Sequence, residues 1–348
     1  MACESSIINH QQSVIRFSGS DCLVTQVSDT YTSLWGGYLQ SKKISMKNII
    51  AVIWDFDKTL VDGYMQDPIF EDFNVNPKEF WDGVNNLPEK YLKEQGVKVN
   101  KDLIYLNQFI NDAKPGGRFN GLSNQKLFEY GKRLKFYPGV PEVFKKTKEL
   151  LSGDQLCTEY GIRVEHYIVS TGFAQTIKGS VLQEYVSGIW GCELIENRED
   201  ENNPYISEIA YTIDNTSKTR ALFEINKGAH DNEIVDVNVK MTNEQRRIDF
   251  CNMIYIADGP SDVPAFSVVK RNGGSTFAIY PHGNESAFKQ VEKLREDGRI
   301  DMFAEADYSD NTTAHMWICN KIKEMADRIK AQEKSKFSGG NSSPKHIV

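Results

Sequence analysis

The sequence predicts an α/β fold, a parallel sheet whose buried strands alternate with helices and which carries a largely helical insert. Three observations predict it. Residues 48–54, 166–169 and 252–257 are continuous apolar segments, the pattern of strands buried on both faces. Each runs directly into a short polar cluster, and helical apolar spacing fills the stretches between them.

Taken in order, residues 1–45 form an extension rich in Ser, Thr and Gly, with alternation at 13–17 that suits an edge hairpin and no nameable chemistry. The first strand, 48–54, ends abruptly at Asp55. Residues 64–161 read as helices, with apolar spacing in 102–110 and 140–151 and a break at Lys114-Pro115-Gly116-Gly117, and are a candidate inserted helical domain. The second strand leads into Ser170-Thr171-Gly172, and 173–185 reads as helix. Strand-like pieces at 188–195 and 205–212 precede a helix opening near Ser217, and the polar stretch 229–243 reads as a loop. The third strand runs into Asp258-Gly259-Pro260-Ser261-Asp262, followed by a strand at 276–280, a helix at 285–296 and a short strand at 303–306. Residues 312–330 make an amphipathic helix with Met316, Ile318, Ile322, Met325 and Ile329 on one face. The Ser/Gly/Lys/Pro-rich residues 333–348 read as a disordered tail. Residues 46–63 and 162–332 then form the sheet-bearing core, interrupted by that insert.

Composition narrows the function classes. With 48 acidic and 41 basic side chains the 348-residue chain carries a net charge of -7, which argues against broad capture of nucleic acid or an anionic membrane. Six scattered cysteines without a CxxC pair suggest neither a zinc knuckle nor a disulfide framework, and fit reduced thiols in a cytoplasm. No apolar run approaches the ~20 residues that span a bilayer, and the first residues lack a secretory pattern, so a cytoplasmic protein is expected.

In an open parallel sheet, ligands bind in the crevice at the carboxyl ends of the strands, so the three polar clusters are expected to converge there. Asp55, Asp57, Asp258 and Asp262 then crowd four carboxylates together, which a hard cation relieves; oxygen ligands without His or Cys favour Mg2+ over zinc. Asp55 and Asp57, two apart after a strand, suit a carboxylate nucleophile beside a proton donor. Ser170 with the N–H groups of Thr171 and Gly172 can cradle phosphate oxygens, and Lys218 can stabilise charge on the transferring group. Each also has an ordinary structural use: aspartates as turn or cap residues, Ser170 as an N-cap, Lys218 as a solvated charge.

Asp55-Phe56-Asp57-Lys58-Thr59-Leu60, Ser170 after its strand, Lys218, and Asp258 with Asp262 resemble the four motifs of the haloacid dehalogenase-like (HAD) superfamily, and within it the phosphoserine phosphatase-like subgroup. The resemblance covers 46 to about 330. It implies a Rossmann-like core with a mobile cap and an aspartyl-phosphate on Asp55, with Asp57 as general acid and then base. It also implies Mg2+ held by the Asp55 carboxylate, the Asp57 backbone carbonyl and Asp258, with Asp262 in support. The expected activity is magnesium-dependent hydrolysis of a small phosphomonoester. Two departures stand out. Tyr64 lies where many phosphoserine phosphatases carry a substrate-binding glutamate, which argues against phosphoserine, and the cap is longer than in compact members, which fits a larger ester. The competing readings are an idle binding or regulatory protein on the same fold and a dehalogenase-type hydrolase; the complete acid set argues against the first and Asp57 against the second.

Overall fold

The computed structural model describes residues 48–229 and 236–339; the N-terminal extension with its hairpin at 13–17, part of the 229–243 loop and the last nine residues lie outside them. β1 (Ile49–Trp54) is followed by α1 (Asp67–Asp72), α2 (Pro77–Gln95), α3 (Ile104–Ala113), α4 (Asn124–Gly131), α5 (Glu142–Glu149) and α6 (Gln155–Tyr160). Next come β2 (Arg163–Phe173), α7 (Ala174–Gly179), β3 (Gly188–Asn197), β4 (Tyr205–Tyr211) and α8 (Ser217–Lys227). β5 (Met253–Ala257), α9 (Val263–Arg271), β6 (Ser275–Tyr280), α10 (Glu285–Glu296), β7 (Met302–Glu305) and α11 (Thr313–Gly339) complete the chain.

The seven strands form one sheet in the order β4-β3-β2-β1-β5-β6-β7, parallel except for the antiparallel β3–β4 pair. β1 is wholly buried, and its alternate residues feed two separate cores: Ile50, Val52 and Trp54 on one face, Ile49, Ala51 and Ile53 on the other. That two-sided burial is why the segment reads as an unbroken apolar run. From β1 the chain winds outward through β2 and β3, then returns to β5 and winds the other way. The order therefore reverses between β1 and β5, which leaves a crevice at their carboxyl ends.

The insert after β1 rises on a narrow neck. Val61 bridges Phe136, Asp62 N–H donates to Lys135 O at 2.9 Å, and Tyr137 N–H donates to Leu60 O at 2.9 Å. Within the insert, Asn76 caps α2 by accepting from Lys78 N–H at 2.9 Å, with Pro77 at the first helical position. Beyond the neck, α5 packs on β2, and α5 and α6 pack on α11, so these two helices lie against the sheet layer rather than above the crevice.

Two expectations are corrected. The last helix does not stop near Lys330 before a disordered tail; α11 continues to Gly339, because no helix breaker intervenes and pairs such as Lys336–Glu333 at 2.6 Å support the added turns. Ser170, Thr171 and Gly172 do not follow the second strand but lie within β2, whose pairing with β3 shifts register between Val169 and Phe173. An irregularity of that kind re-aims side chains at a strand end and carries no apolar signature to read. No helix among the described residues is long and apolar enough to cross a membrane.

Candidate active site

The crevice is built from the loops after β1, β2 and β5 and the first turn of α8. Asp55 begins where β1 ends, its N–H still donating to Ile256 O on β5 at 2.9 Å. The chain then folds tightly, with Thr59, Leu60 and Val61 all donating to Phe56 O, and Lys58 adopts a left-handed φ of 56°. Asp214 Oδ1 accepts from Thr216 and Ser217 N–H at 3.0 and 2.7 Å, which starts α8 where Lys218 aims inward.

The sequence-predicted acids come together. Single carboxylate oxygens of Asp55, Asp258 and Asp262 lie within 4.8 Å of one another. Lys218, 1% exposed, donates from Nζ to Asp55 Oδ1 at 2.7 Å and to Asp262 Oδ1 at 2.6 Å. Asp262 is held further by Tyr255 OH at 2.6 Å and Ser261 Oγ at 2.8 Å, whereas Asp55 Oδ2 takes a longer contact from Thr59 Oγ1 at 3.2 Å. Asp258 receives no hydrogen bond among the described residues. The carboxylate of Asp57 stands beside the triad, with Oδ1 accepting from Met65 N–H at 2.7 Å.

Electrostatics follow from this arrangement. Burial, opposed by Lys218 and reinforced by Asp262, pushes Asp55 up to about 6. Burial and then Asp55 and Asp262 push Asp258 up to about 7. Asp57 is raised well above the carboxylate range by burial and by Asp55. Burial works to lower Lys218, but Asp262 and Asp55 outweigh it and hold the ammonium charged. The acids thus outnumber the positive charge that one lysine supplies. A carboxylate held by a lysine beside a carboxyl that keeps its proton has the two functions that group transfer to and from oxygen needs.

Ser170, at the carboxyl end of β2, is buried, and its Oγ accepts from Gly172 N–H at 3.0 Å, so that amide is turned toward the serine. Phe173 N–H donates to Met65 Sδ at 3.0 Å. A Cβ at Gly172 would stand 2.2 Å from Met65 Cε and 3.3 Å from Asp57 Oδ2, so only glycine admits this approach of Met65. Met65, Tyr105 and Tyr255 are site residues that sequence reasoning missed. Tyr255 carried a faint signal, since it points to the same face of β5 as Ala257; Met65 and Tyr105 gave none, because they look like ordinary apolar positions of a helical segment.

No established protein-family profile matches the chain. An uncharacterized protein of Borreliella burgdorferi is 37% identical over 290 residues, covering 79% of this chain and 97% of that one. Among solved structures, a HAD-family hydrolase from Salmonella enterica serovar Typhi is 14% identical with a TM-score of 0.46, over 74% of this chain and 67% of that one. A phosphoserine phosphatase in a phospho-aspartyl intermediate analogue state is 16% identical with a TM-score of 0.44, over 74% and 93%. Its four motifs, Asp55 to Leu60, Ser170, Lys218 and Asp258 with Asp262, resemble those of the haloacid dehalogenase-like superfamily, and the chain belongs to one family with the Borreliella protein.

Proposed function

We propose that the protein is a magnesium-dependent phosphatase that hydrolyses a small phosphomonoester through an aspartyl-phosphate on Asp55. The observation that carries this reading is the buried meeting of Asp55, Asp258, Asp262 and Lys218, with Asp57 alongside. The residues fit Mg2+: an all-oxygen donor set, an unpartnered Asp258, and two carboxyls whose pKa values rise for want of positive charge. The Asp55 carboxylate, the Asp57 backbone carbonyl and Asp258 would hold it, with Asp262 steadying the assembly from behind. Bound there, the ion supplies positive charge that offsets the carboxylates and the phosphoryl oxygens.

The chain's own groups then divide the work. Asp55 Oδ2, the oxygen Lys218 does not hold, attacks phosphorus; the P–O bond to the leaving group breaks, and Asp57 gives its proton to the departing oxygen. Water next attacks the phosphoryl group, Asp57 takes the water's proton, and Asp55 leaves as free carboxylate with inorganic phosphate. Lys218 keeps Asp55 ionised against its burial and neutralises charge on the transferring group. Ser170 and, once released from it, the Gly172 N–H are suited to the phosphoryl oxygens. In this reading the insert between β1 and β2 is a cap that excludes water during transfer, and the cytoplasmic setting expected from the scattered cysteines completes it.

Purified protein should release p-nitrophenol from p-nitrophenyl phosphate with Mg2+, lose that activity in EDTA, and lose at least about 1000-fold of it in Asp55→Asn. An Asp55→Asn protein as active as wild type would rule out Asp55 as the nucleophile, and no turnover across a panel of phosphomonoesters would favour a binding protein instead.

A further inference from the structure

The insert holds the end of β2 through a single peptide unit. Val169 pairs with Trp190 and Phe173 with Cys192, so Ser170, Thr171 and Gly172 lie opposite Gly191 alone and the β2–β3 ladder leaves some of their backbone groups to other partners. Tyr105 OH, from α3, donates to Thr171 O at 2.6 Å, and Cys192 Sγ, from β3, donates to the same oxygen at 3.2 Å. Two residues on from Thr171, Phe173 N–H donates to Met65 Sδ at 3.0 Å. Tyr105 and Met65 both lie beyond the neck. The insert thus grips the chain on either side of Gly172.

Thr171 C=O and Gly172 N–H belong to one planar trans peptide and point in opposite directions. Fixing the oxygen therefore fixes where the amide points. With Tyr105 and Cys192 on the oxygen, the N–H faces Ser170 Oγ at 3.0 Å. A glycine at 172 adds little resistance of its own to rotation of that plane, so outside partners do the holding. Cys192 supplies a weak thiol donor, and Tyr105 the stronger and shorter one. The Tyr105 ring is seated independently of its hydroxyl: its centroid lies 6.2 Å from that of Phe109 at 88° and 5.9 Å from that of Phe173 at 57°, and the residue is buried.

We propose that Tyr105, which belongs to none of the four motifs, is a positioning residue: its hydroxyl holds the 171–172 peptide so that Gly172 N–H faces the phosphoryl group, and phosphate affinity therefore depends on the insert being seated on β2. This rests on the phosphatase reading, in which Ser170 and the Gly172 N–H meet the phosphoryl oxygens. Without the Tyr105 hydroxyl the peptide plane turns more freely, and the amide spends less of its time on the Ser170 side. The dependence runs both ways, since a phosphate that binds best with Tyr105 docked holds the insert down by the same free energy.

The test titrates inorganic phosphate calorimetrically, with Mg2+, into wild type and Tyr105→Phe, beside steady-state kinetics of both on p-nitrophenyl phosphate. Phenylalanine keeps the ring contacts and removes only the donor. Tyr105→Phe should bind phosphate about 3- to 10-fold more weakly and raise KM by a similar factor, with kcat within about twofold of wild type. A merely structural role would instead lower kcat through the folded fraction and leave KM and phosphate affinity alone. Phosphate affinity and KM unchanged in Tyr105→Phe, or a lower kcat at unchanged KM, overturns this inference alone. A wild-type protein that neither binds phosphate nor turns over any phosphomonoester overturns it together with the phosphatase reading.

Discussion

Two clusters of buried charge occupy opposite ends of the same sheet, and they are finished differently. At the amino end of β2, Glu165 accepts from Arg163 Nε at 2.9 Å, from Arg247 Nη1 and Nη2 at 2.7 and 3.1 Å, and from Tyr167 OH. Burial alone would raise Glu165, but Arg247 and Tyr167 prevail and its pKa falls below the ordinary value. At the carboxyl end, Asp55, Asp57 and Asp258 move the other way. These acids thus separate by whether their charge is answered within the chain. Glu165 is answered by Arg247, Arg163 and Tyr167; the Asp cluster is answered only in part, by Lys218, and perturbed carboxyls of that kind are what the proposed site would use.

Single substitutions can break that contrast. Lys218→Met removes the one cation inside the Asp cluster and leaves two carboxylates uncompensated; unfolding free energy should drop by about 3–5 kcal/mol in denaturant titration, and phosphatase activity should vanish. Arg247→Met at the other end should cost about 1.5–3 kcal/mol through the lost charged hydrogen bonds, with kcat/KM kept by the folded protein. Activity lost in Arg247→Met at full folding would mean that the two ends are coupled and the contrast is false.

A smaller effect separates the strands' own support from both clusters. Trp54 Nε1 donates to His166 Nδ1 at 3.0 Å, so the ring proton sits on Nε2 and points to Thr147 Oγ1 at 2.9 Å. Burial first, then Lys148, pushes His166 down to about 3. Since the unfolded chain takes up that proton near pH 6.5, this group leaves stability unchanged above 6.5 and lowers it from there down to about 3. Between pH 7.5 and 5 it should subtract about 1–2 kcal/mol, and His166→Gln should flatten that part of the profile.

Much of this was legible in the amino acids. The buried strands announced themselves because two-sided burial leaves no polar position in 49–54, and the acids were visible because each stands directly after such a strand. The insert was legible as helices but not as a neck, since Val61–Phe136 pairing joins residues far apart in sequence. The turning of Gly172 N–H onto Ser170, and the closure of Met65 over Gly172, depend on a strand irregularity that periodicity does not encode. Tyr105 was hidden for another reason: it has the spacing of a core residue, and it does pack in the core while its hydroxyl donates to Thr171 O at the end of β2.

The neck at 60–62 and 135–137 makes the molecule divisible. Its two arms leave and return side by side, so residues 63–134 could be exchanged for the equivalent stretch of a relative without rethreading the sheet. In such a chimera Asp55, Asp57, Asp258 and Asp262 would stay with the recipient, while Met65 and Tyr105 would arrive with the donor. The partners that the insert lends to the crevice loops would therefore be inherited as a cassette, separately from the acid cluster.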